Sequence, residues 1–330
     1  MVVAGKWIAL ALCAAALWMA PAAAIGACLD ADQLRGAPSP LFAQAAADGV
    51  SGPTDEDRRG RMVAPVMVAG QGPFRFIVDT GANRSVLSQA LATQLGLSPN
   101  GSGNVHSVYG VTVAPLVDAG SLSYGTLPMP SASMPLLQGA VLAGEHGLLG
   151  VDGMEGRRLR MDFERRCIEI LPAATAPRLR NWVTIQGELR FGHLVVIRGF
   201  VRNQPVNLLI DTGSDTSMAN VALREQLRGG VRRDYSRTEV TRAFTAGEPI
   251  ALDAAVLIPR LDVGEGIEVE NLIAYVGNFH IFNLWGLQDE PTLLVGMDVL
   301  SQARSIAIDY SRGTVHFRLR RFQTGTRLRD

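Results

Sequence analysis

Asp79 and Asp211 stand at the same place in two copies of one pattern. The first copy runs Pro73-Phe74-Arg75-Phe76-Ile77-Val78-Asp79-Thr80-Gly81-Ala82-Asn83-Arg84-Ser85. The second runs Pro205-Val206-Asn207-Leu208-Leu209-Ile210-Asp211-Thr212-Gly213-Ser214-Asp215-Thr216-Ser217. In each, an apolar strand leads straight into Asp-Thr-Gly, where an ionised carboxylate buried alone would be costly. The cost falls if two such carboxylates meet, because within hydrogen-bond reach they share one proton and titrate as a pair. Such a pair holds an acid and a base at once. One carboxylate can take a proton from a water lying between them while the other protonates a carbonyl oxygen, giving a tetrahedral diol without a covalent intermediate. The Thr80 and Thr212 hydroxyls can bond from one copy to the other, and Gly81 and Gly213 let the backbone approach and donate to the carboxylates. Ser214 can donate to its neighbouring carboxylate where Ala82 cannot, so Asp211 is expected to be the more readily ionised partner. A single Asp-Thr-Gly reads as an ordinary strand-end turn; two in matched surroundings point to a dyad.

The elements that must position this pair are themselves written twice. Each copy follows an apolar strand pattern ending in a Gly turn, at 63–70 and 194–199, as a hairpin requires. Each precedes a short helical pattern, capped by Ser88 and closed by Gly96 in one case, capped by Asn220 and closed by Gly229 in the other. Downstream, Leu148-Leu149-Gly150-Val151-Asp152 is echoed by Leu294-Val295-Gly296-Met297-Asp298. Past these blocks, Met161-Asp162-Phe163 and Ile308-Asp309-Tyr310 open matching closing hairpins. Asp152, Asp298, Asp162 and Asp309 are read as structural, capping helices or closing hairpin turns, and Asp215 as a solvated or turn-capping carboxylate. The two motif Asp residues are 132 positions apart, about one small domain, so the chain reads as two homologous lobes in tandem. Their expected bounds are 59–171 and 181–330, with a Pro- and Ala-rich linker at 172–180.

Asp79-Thr80-Gly81-Ala82 and Asp211-Thr212-Gly213-Ser214, each joined to an apolar-apolar-Gly block, resemble the aspartic proteases, nearest to the retropepsin-like bacterial branch with both lobes fused in one chain. The likeness covers residues 60–320. It implies an all-β, bilobal fold of two homologous small closed β barrels with short helices, related by a twofold axis, with the active site at the lobe interface. It implies Asp79 and Asp211 as catalytic residues, supported by Thr80, Gly81, Thr212, Gly213 and Ser214. It also implies a flap hairpin from each lobe: 105–113 with Tyr109 and Gly110 near the tip, and 240–250 around Phe244. A protein or peptide substrate would lie between flaps and dyad as an added strand, read through apolar pockets. With both motifs in one chain, a monomer with an internal pseudo-twofold is expected. No cofactor and no metal are expected, since the five histidines show no ligand spacing. The implied activity is an aspartic endopeptidase; the alternative is an inactive peptide-binding envelope protein on the same scaffold.

The ends and the composition bear on location. Lys6, an apolar run from Trp7 to Met19 and the small residues after Pro21 read as a signal peptide over 1–24. Two other readings stay open: a lipoprotein signal to 27 with Cys28 lipidated, and an uncleaved anchor that tethers the N-terminus to a membrane. All place the mature domain outside the cytoplasm, in the periplasm or envelope. Residues 28–58 are expected as a flexible linker or propeptide, and whether Cys28 pairs with Cys167 is open. The chain has 330 residues and 31 basic against 31 acidic side chains, a net charge of +0 that gives no bulk attraction to nucleic acid. Its 47% hydrophobic content excludes a disordered chain.

Overall fold

The computed structural model describes residues 49–108, 110–138, 140–228, 241–243, 250–252 and 254–320. The expected signal segment, Cys28, Tyr109 and Phe244 lie outside the described residues. The chain is all-β, as the punctuated apolar runs predict, and its strands fall into two lobes. Lobe one carries β1 (Val50–Pro53), β2 (Asp55–Glu56), β3 (Met62–Val68), β4 (Gln71–Val78), β5 (Val86–Ser88), β6 (Gly101–His106) and β7 (Val111–Val117). It continues through β8 (Leu122–Tyr124), β9 (Leu127–Met129), β10 (Met134–Leu137), β11 (Gly147–Leu149), β12 (Arg157–Asp162) and β13 (Cys167–Pro172). Lobe two carries β14 (Val183–Arg190), β15 (Leu194–Val201), β16 (Gln204–Ile210), β17 (Met218–Ala219), β18 (Thr241–Ala243) and β19 (Ile250–Leu252). It ends with β20 (Ala255–Gly264), β21 (Ile267–Val276), β22 (Thr292–Val295), β23 (Ser305–Asp309) and β24 (Thr314–Arg318).

The duplication is visible in the pairing. The strand leading into each motif lies parallel to the strand of its downstream block, β4 with β11 and β16 with β22. The strand after each motif then pairs antiparallel to that same block, β5 with β11 and β17 with β22. Lobe two closes: β15, β16, β22, β17, β21 and β20 form a six-stranded ring, sealed where Phe200 meets Asp262. Lobe one does not close, and remains a half-barrel in place of the second closed barrel expected. Its β8 pairs with β3 as β20 pairs with β15, and its β10 pairs with β5 as β21 pairs with β17. The continuous hairpin β20–β21 is broken in lobe one, however, into β7 and β8 on one side and β9 and β10 on the other. Gly120 (φ 68°) and Ser133 (φ 51°) are left-handed at the two breaks, and Pro130 has no N–H for a ladder.

Between the lobes runs a shared antiparallel sheet in the order β1, β13, β12, β23, β24, β14, joined across the pseudo-twofold by β12 and β23. Residues within the expected linker or propeptide therefore belong to the fold: Val50–Pro53 forms the edge of this sheet against β13, and Asp55–Glu56 pairs with β3. Alternation along β12 sends Leu159 and Met161 into a core that runs through both lobes, with Phe76, Leu208 and Ile306. The intervening Arg158, Arg160 and Asp162 are buried on the opposite face, where Arg158 pairs with Asp309 at 3.1 Å and Arg160 with Asp162 at 3.3 Å. Burial pushes the Glu169 carboxyl on this face up to about 7. Cys167 in β13 is disulfide-bonded, to a partner outside the described residues.

Candidate active site

Each Asp-Thr-Gly leaves its strand at the lobe interface, and the two turns are bonded to each other. The Thr80 hydroxyl donates to the carbonyl of Ile210 (2.8 Å) and accepts from the amide of Thr212 (3.0 Å). The Thr212 hydroxyl donates to the carbonyl of Val78 (2.7 Å) and accepts from the amide of Thr80 (3.1 Å). Both Thr side chains are buried, so each of these groups would be unsatisfied without its partner in the other lobe. Only a hydroxyl can donate and accept at once from so short a stem, so a hydroxyl residue stands at both positions.

A second set of bonds holds each turn from its own lobe. Asp152 accepts from the amide (2.9 Å) and hydroxyl (2.7 Å) of Ser85, whose oxygen accepts in turn from the amide of Gly150 (3.1 Å). Asp298 does the same for Ser217 and Gly296 in lobe two. The glycines of these blocks are close-packed: a Cβ on Gly296 would lie 2.6 Å from the Thr216 carbonyl, and one on Gly150 2.6 Å from the Arg84 carbonyl carbon. Asp162 and Asp309, read as hairpin residues, bond the turns after β12 and β23, through the amides of Arg165 (2.9 Å) and Ser311 (3.1 Å).

Asp79 and Asp211 are brought together, within hydrogen-bonding reach of each other. Each also accepts from the amide two residues on, Gly81 at 2.9 Å and Gly213 at 2.8 Å. The glycines lie against the opposite carboxyl: a Cβ on Gly81 would stand 2.5 Å from Cγ of Asp211, and one on Gly213 would overlap Asp79. Burial raises the Asp79 carboxyl, while the Gly81 amide, the Arg61 charge and the bond from Asp211 pull it back. Asp211 is raised well above the ordinary value, by burial and then by the charge of Asp79. The charge of Arg61 thus acts on the Asp79 side of the pair, whereas the sequence argument for Asp211 as the more readily ionised partner rests on Ser214. The Ser214 hydroxyl invoked there donates instead to the carbonyl of Thr216 at 2.7 Å, and both carboxyls receive a backbone bond from the residue after their Gly.

Arg61 breaks the symmetry. It is buried, its guanidinium bonded to Asp57 (2.7 Å) and to the carbonyls of Gly213 (3.0 Å) and Val141 (3.2 Å). By the register of β3 on β4 and of β15 on β16, the equivalent position in lobe two holds Leu194, which is apolar and does not line the site.

Above the dyad lies a cavity of about 690 Å³. Val86, Leu116, Leu137 and Leu148 line it from lobe one, and Met218, Leu252, Leu294 and Trp285 from lobe two. Val86 and Leu148 correspond through the duplication to Met218 and Leu294, so the two apolar walls are related by the pseudo-twofold. The hairpin β6–β7 covers the cavity, with His106, Ser107 and Val108 facing in. Gly110 is in its tip, where its carbonyl accepts from the Ser107 amide at 2.8 Å; Tyr109 beside it is outside the described residues. Strands β18 and β19 pair where the second flap was expected, with Phe244 between them outside the described residues.

A family model described as aspartyl protease matches residues 64–152 and 195–299, one stretch in each lobe and together more than half of the chain. The chain belongs to the aspartyl protease family. A search of curated proteins finds no match to it. The two stretches matched in this aspartyl protease family member each contain one Asp-Thr-Gly turn and its apolar-apolar-Gly block. Sequence reasoning missed Arg61, which nothing in the periodicity of 59–70 distinguishes from its neighbours. It missed the contact of Asp215 with Arg59 of the other lobe, 3.9 Å apart, and the pairing of His106 with His280, because no local pattern links residues so far apart. Among the described residues no group of three or more His, Cys, Asp or Glu could hold a metal ion.

Proposed function

We propose that the protein is an exported aspartic endopeptidase that hydrolyses peptide bonds of a protein in the periplasm or envelope. The reading is carried by one observation: the two carboxyls of the duplicated motif meet at the floor of a flap-covered cleft. Asp79, ionised, takes a proton from a water held between the carboxyls, and the water oxygen attacks the carbonyl carbon. Asp211 gives its proton to the carbonyl oxygen, so a neutral diol forms. In collapse, Asp79 returns its proton to the amide nitrogen as the C–N bond breaks, and Asp211 takes back a diol proton. The dyad ends as it began.

The paired apolar walls favour apolar side chains on both sides of the cleaved bond, with the chain held as a strand beside β6–β7. Both carboxyls come from one chain, so a monomer suffices. The disulfide at Cys167 favours an oxidising compartment outside the cytoplasm. The test is digestion of a peptide library by the mature protein between pH 4 and 8, read by mass spectrometry. Cleavage that disappears in both Asp79→Asn and Asp211→Asn supports the reading; a folded wild-type protein that binds peptides and cuts none overturns it in favour of a binding protein.

Arg61 adds a pH signature. Its charge favours the ionised form of Asp79, so Arg61→Met is expected to move the acid limb of kcat/KM toward neutral pH by up to about one unit, equivalent to about 1.4 kcal/mol. Arg61→Lys keeps the charge and should move it less. A Met variant with reduced rate but an unmoved acid limb would reduce Arg61 to a structural role.

A further inference from the structure

The flap of lobe one is tied to lobe two at two points. The carbonyl of Val108 accepts from the amide of Ile281 at 3.2 Å, and Nδ1 of His106 lies 3.0 Å from Nε2 of His280. Ile281 and His280 begin the short helix His280–Leu284, on the far side of the cleft from the hairpin β6–β7. The imidazole centroids are 5.3 Å apart with planes within 13°. With nitrogens 3.0 Å apart, that separation sets the rings edge to edge rather than face over face. One ring N–H therefore points at the lone pair of the other.

Such a bond tolerates one added proton and not two. When both rings are neutral, one contact nitrogen donates and the other accepts. A first proton goes to a nitrogen away from the contact, and the bond becomes charge-assisted. A second leaves both contact nitrogens bearing N–H, with no acceptor between them and like charges in contact. The doubly protonated pair therefore cannot keep the bond. No fixed carboxylate offsets the second charge: residues 101–117 and 277–288 contain no Asp, Glu, Lys or Arg, and Tyr109 is their only other titratable side chain. Across the cavity that His106 lines stand the charged groups Arg59, Arg61, Arg84 and Asp215 and the dyad, Arg59 paired with Asp215 and Arg61 with Asp57.

We propose that His106 and His280 form a proton-operated latch, which holds the flap of lobe one closed on lobe two near neutral pH and releases it when both rings are protonated. Release uncovers the cavity so that an extended chain can enter from the side. The latch does not depend on the peptidase reading, because it concerns access to the cleft whatever occurs there.

The Ile281 amide reports on it directly, since its acceptor is in the opposite lobe. Hydrogen exchange at this amide would be measured in the full mature protein at pH 7.5 and pH 5, each corrected for the intrinsic rate. Protection in the wild type is expected to fall at least tenfold at pH 5. His106→Phe, which cannot make the bond, should be equally unprotected at both. In His280→Gln the amide can donate to a neutral His106 or accept from a protonated one, so protection should persist at both. Equal wild-type protection at the two pH values, or a full acid-induced loss in His280→Gln, would overturn the proposal.

Discussion

Replacing Asp211 by Asn is expected to lower peptide cleavage by about 10³-fold or more, since in the proposed mechanism the residue supplies general acid in one step and accepts a proton in the next. The same substitution should flatten the dependence of stability on pH. Asp211 is raised well above its ordinary value by burial and by the charge of Asp79. The folded protein therefore keeps a proton that the unfolded chain releases near pH 4. While that difference lasts, the native state binds more protons, so stability is greatest below about pH 4 and falls by about 1.4 kcal/mol per pH unit above it, until the folded carboxyl itself ionises. Asn cannot lose a proton, and this part of the slope disappears. Asp79→Asn should abolish cleavage as fully yet keep more of the slope, because Asp211 remains buried. Denaturant midpoints of the wild type and both variants from pH 4 to 8, with cleavage measured in parallel, test the assignment. A slope flattened by Asp79→Asn and retained in Asp211→Asn would place the shared proton on Asp79.

Thr212→Val should be nearly as damaging through a different route. The substitution keeps the shape of the side chain and removes a buried hydroxyl that donates to Val78 at 2.7 Å and accepts from Thr80 at 3.1 Å. Two hydrogen bonds of about 1 kcal/mol each are lost, and the Thr80 amide is left buried without a partner, for a combined cost of about 3 kcal/mol. The loss falls on the contact that sets the distance between the two carboxyls, so kcat/KM should fall by about 10²-fold as the dyad loosens. Thr212→Ser retains both bonds and should stay within about 1 kcal/mol of the wild type, near full activity. Thermal or denaturant unfolding and a peptide assay on the two variants separate the hydroxyl from the methyl. If Val and Ser behaved alike, the cross-lobe bonds would not be what holds the turns together.

The duplication explains both the symmetry of the site and where that symmetry ends. Backbone and Thr contacts around the two turns match pairwise, since they follow from residues present in both copies. The departures come from positions where the copies differ: Arg61 against Leu194, the broken β7–β10 segment against the continuous β20–β21 hairpin, and His106 meeting the helix His280–Leu284, where lobe one has only a 3-10 turn at Ala140–Leu142. A symmetric pair of carboxyls would share its proton evenly. A buried cation beside one of them biases that sharing, and in the proposed mechanism it makes Asp79 the base.

Much of this was legible in the chain alone. Two copies of an apolar strand ending in Asp-Thr-Gly, with an apolar-apolar-Gly block after each, specify the all-β class, the two lobes and the residues at their junction, because each copy repeats the same local periodicity and the same turn chemistry. The place of Asp152 and Asp298 after those blocks marks them as structural but suggests helix caps; that they hold Ser85 and Ser217 instead is set by the fold. What depended on long-range contact was not legible. The charge beside the dyad comes from Arg61, and the Ser214 hydroxyl found the Thr216 carbonyl instead of a carboxylate. The open half-barrel of lobe one turned on whether short strands could reach across a ring. Val50–Pro53 joined the shared sheet because β13 offered it an unpaired edge. His106 and His280 meet across 174 positions of sequence, and only the folded arrangement of the lobes puts their nitrogens in contact. Sequence patterns record the near neighbours along a strand or turn; the partners that tune a site come from elsewhere in the chain, and packing alone selects them.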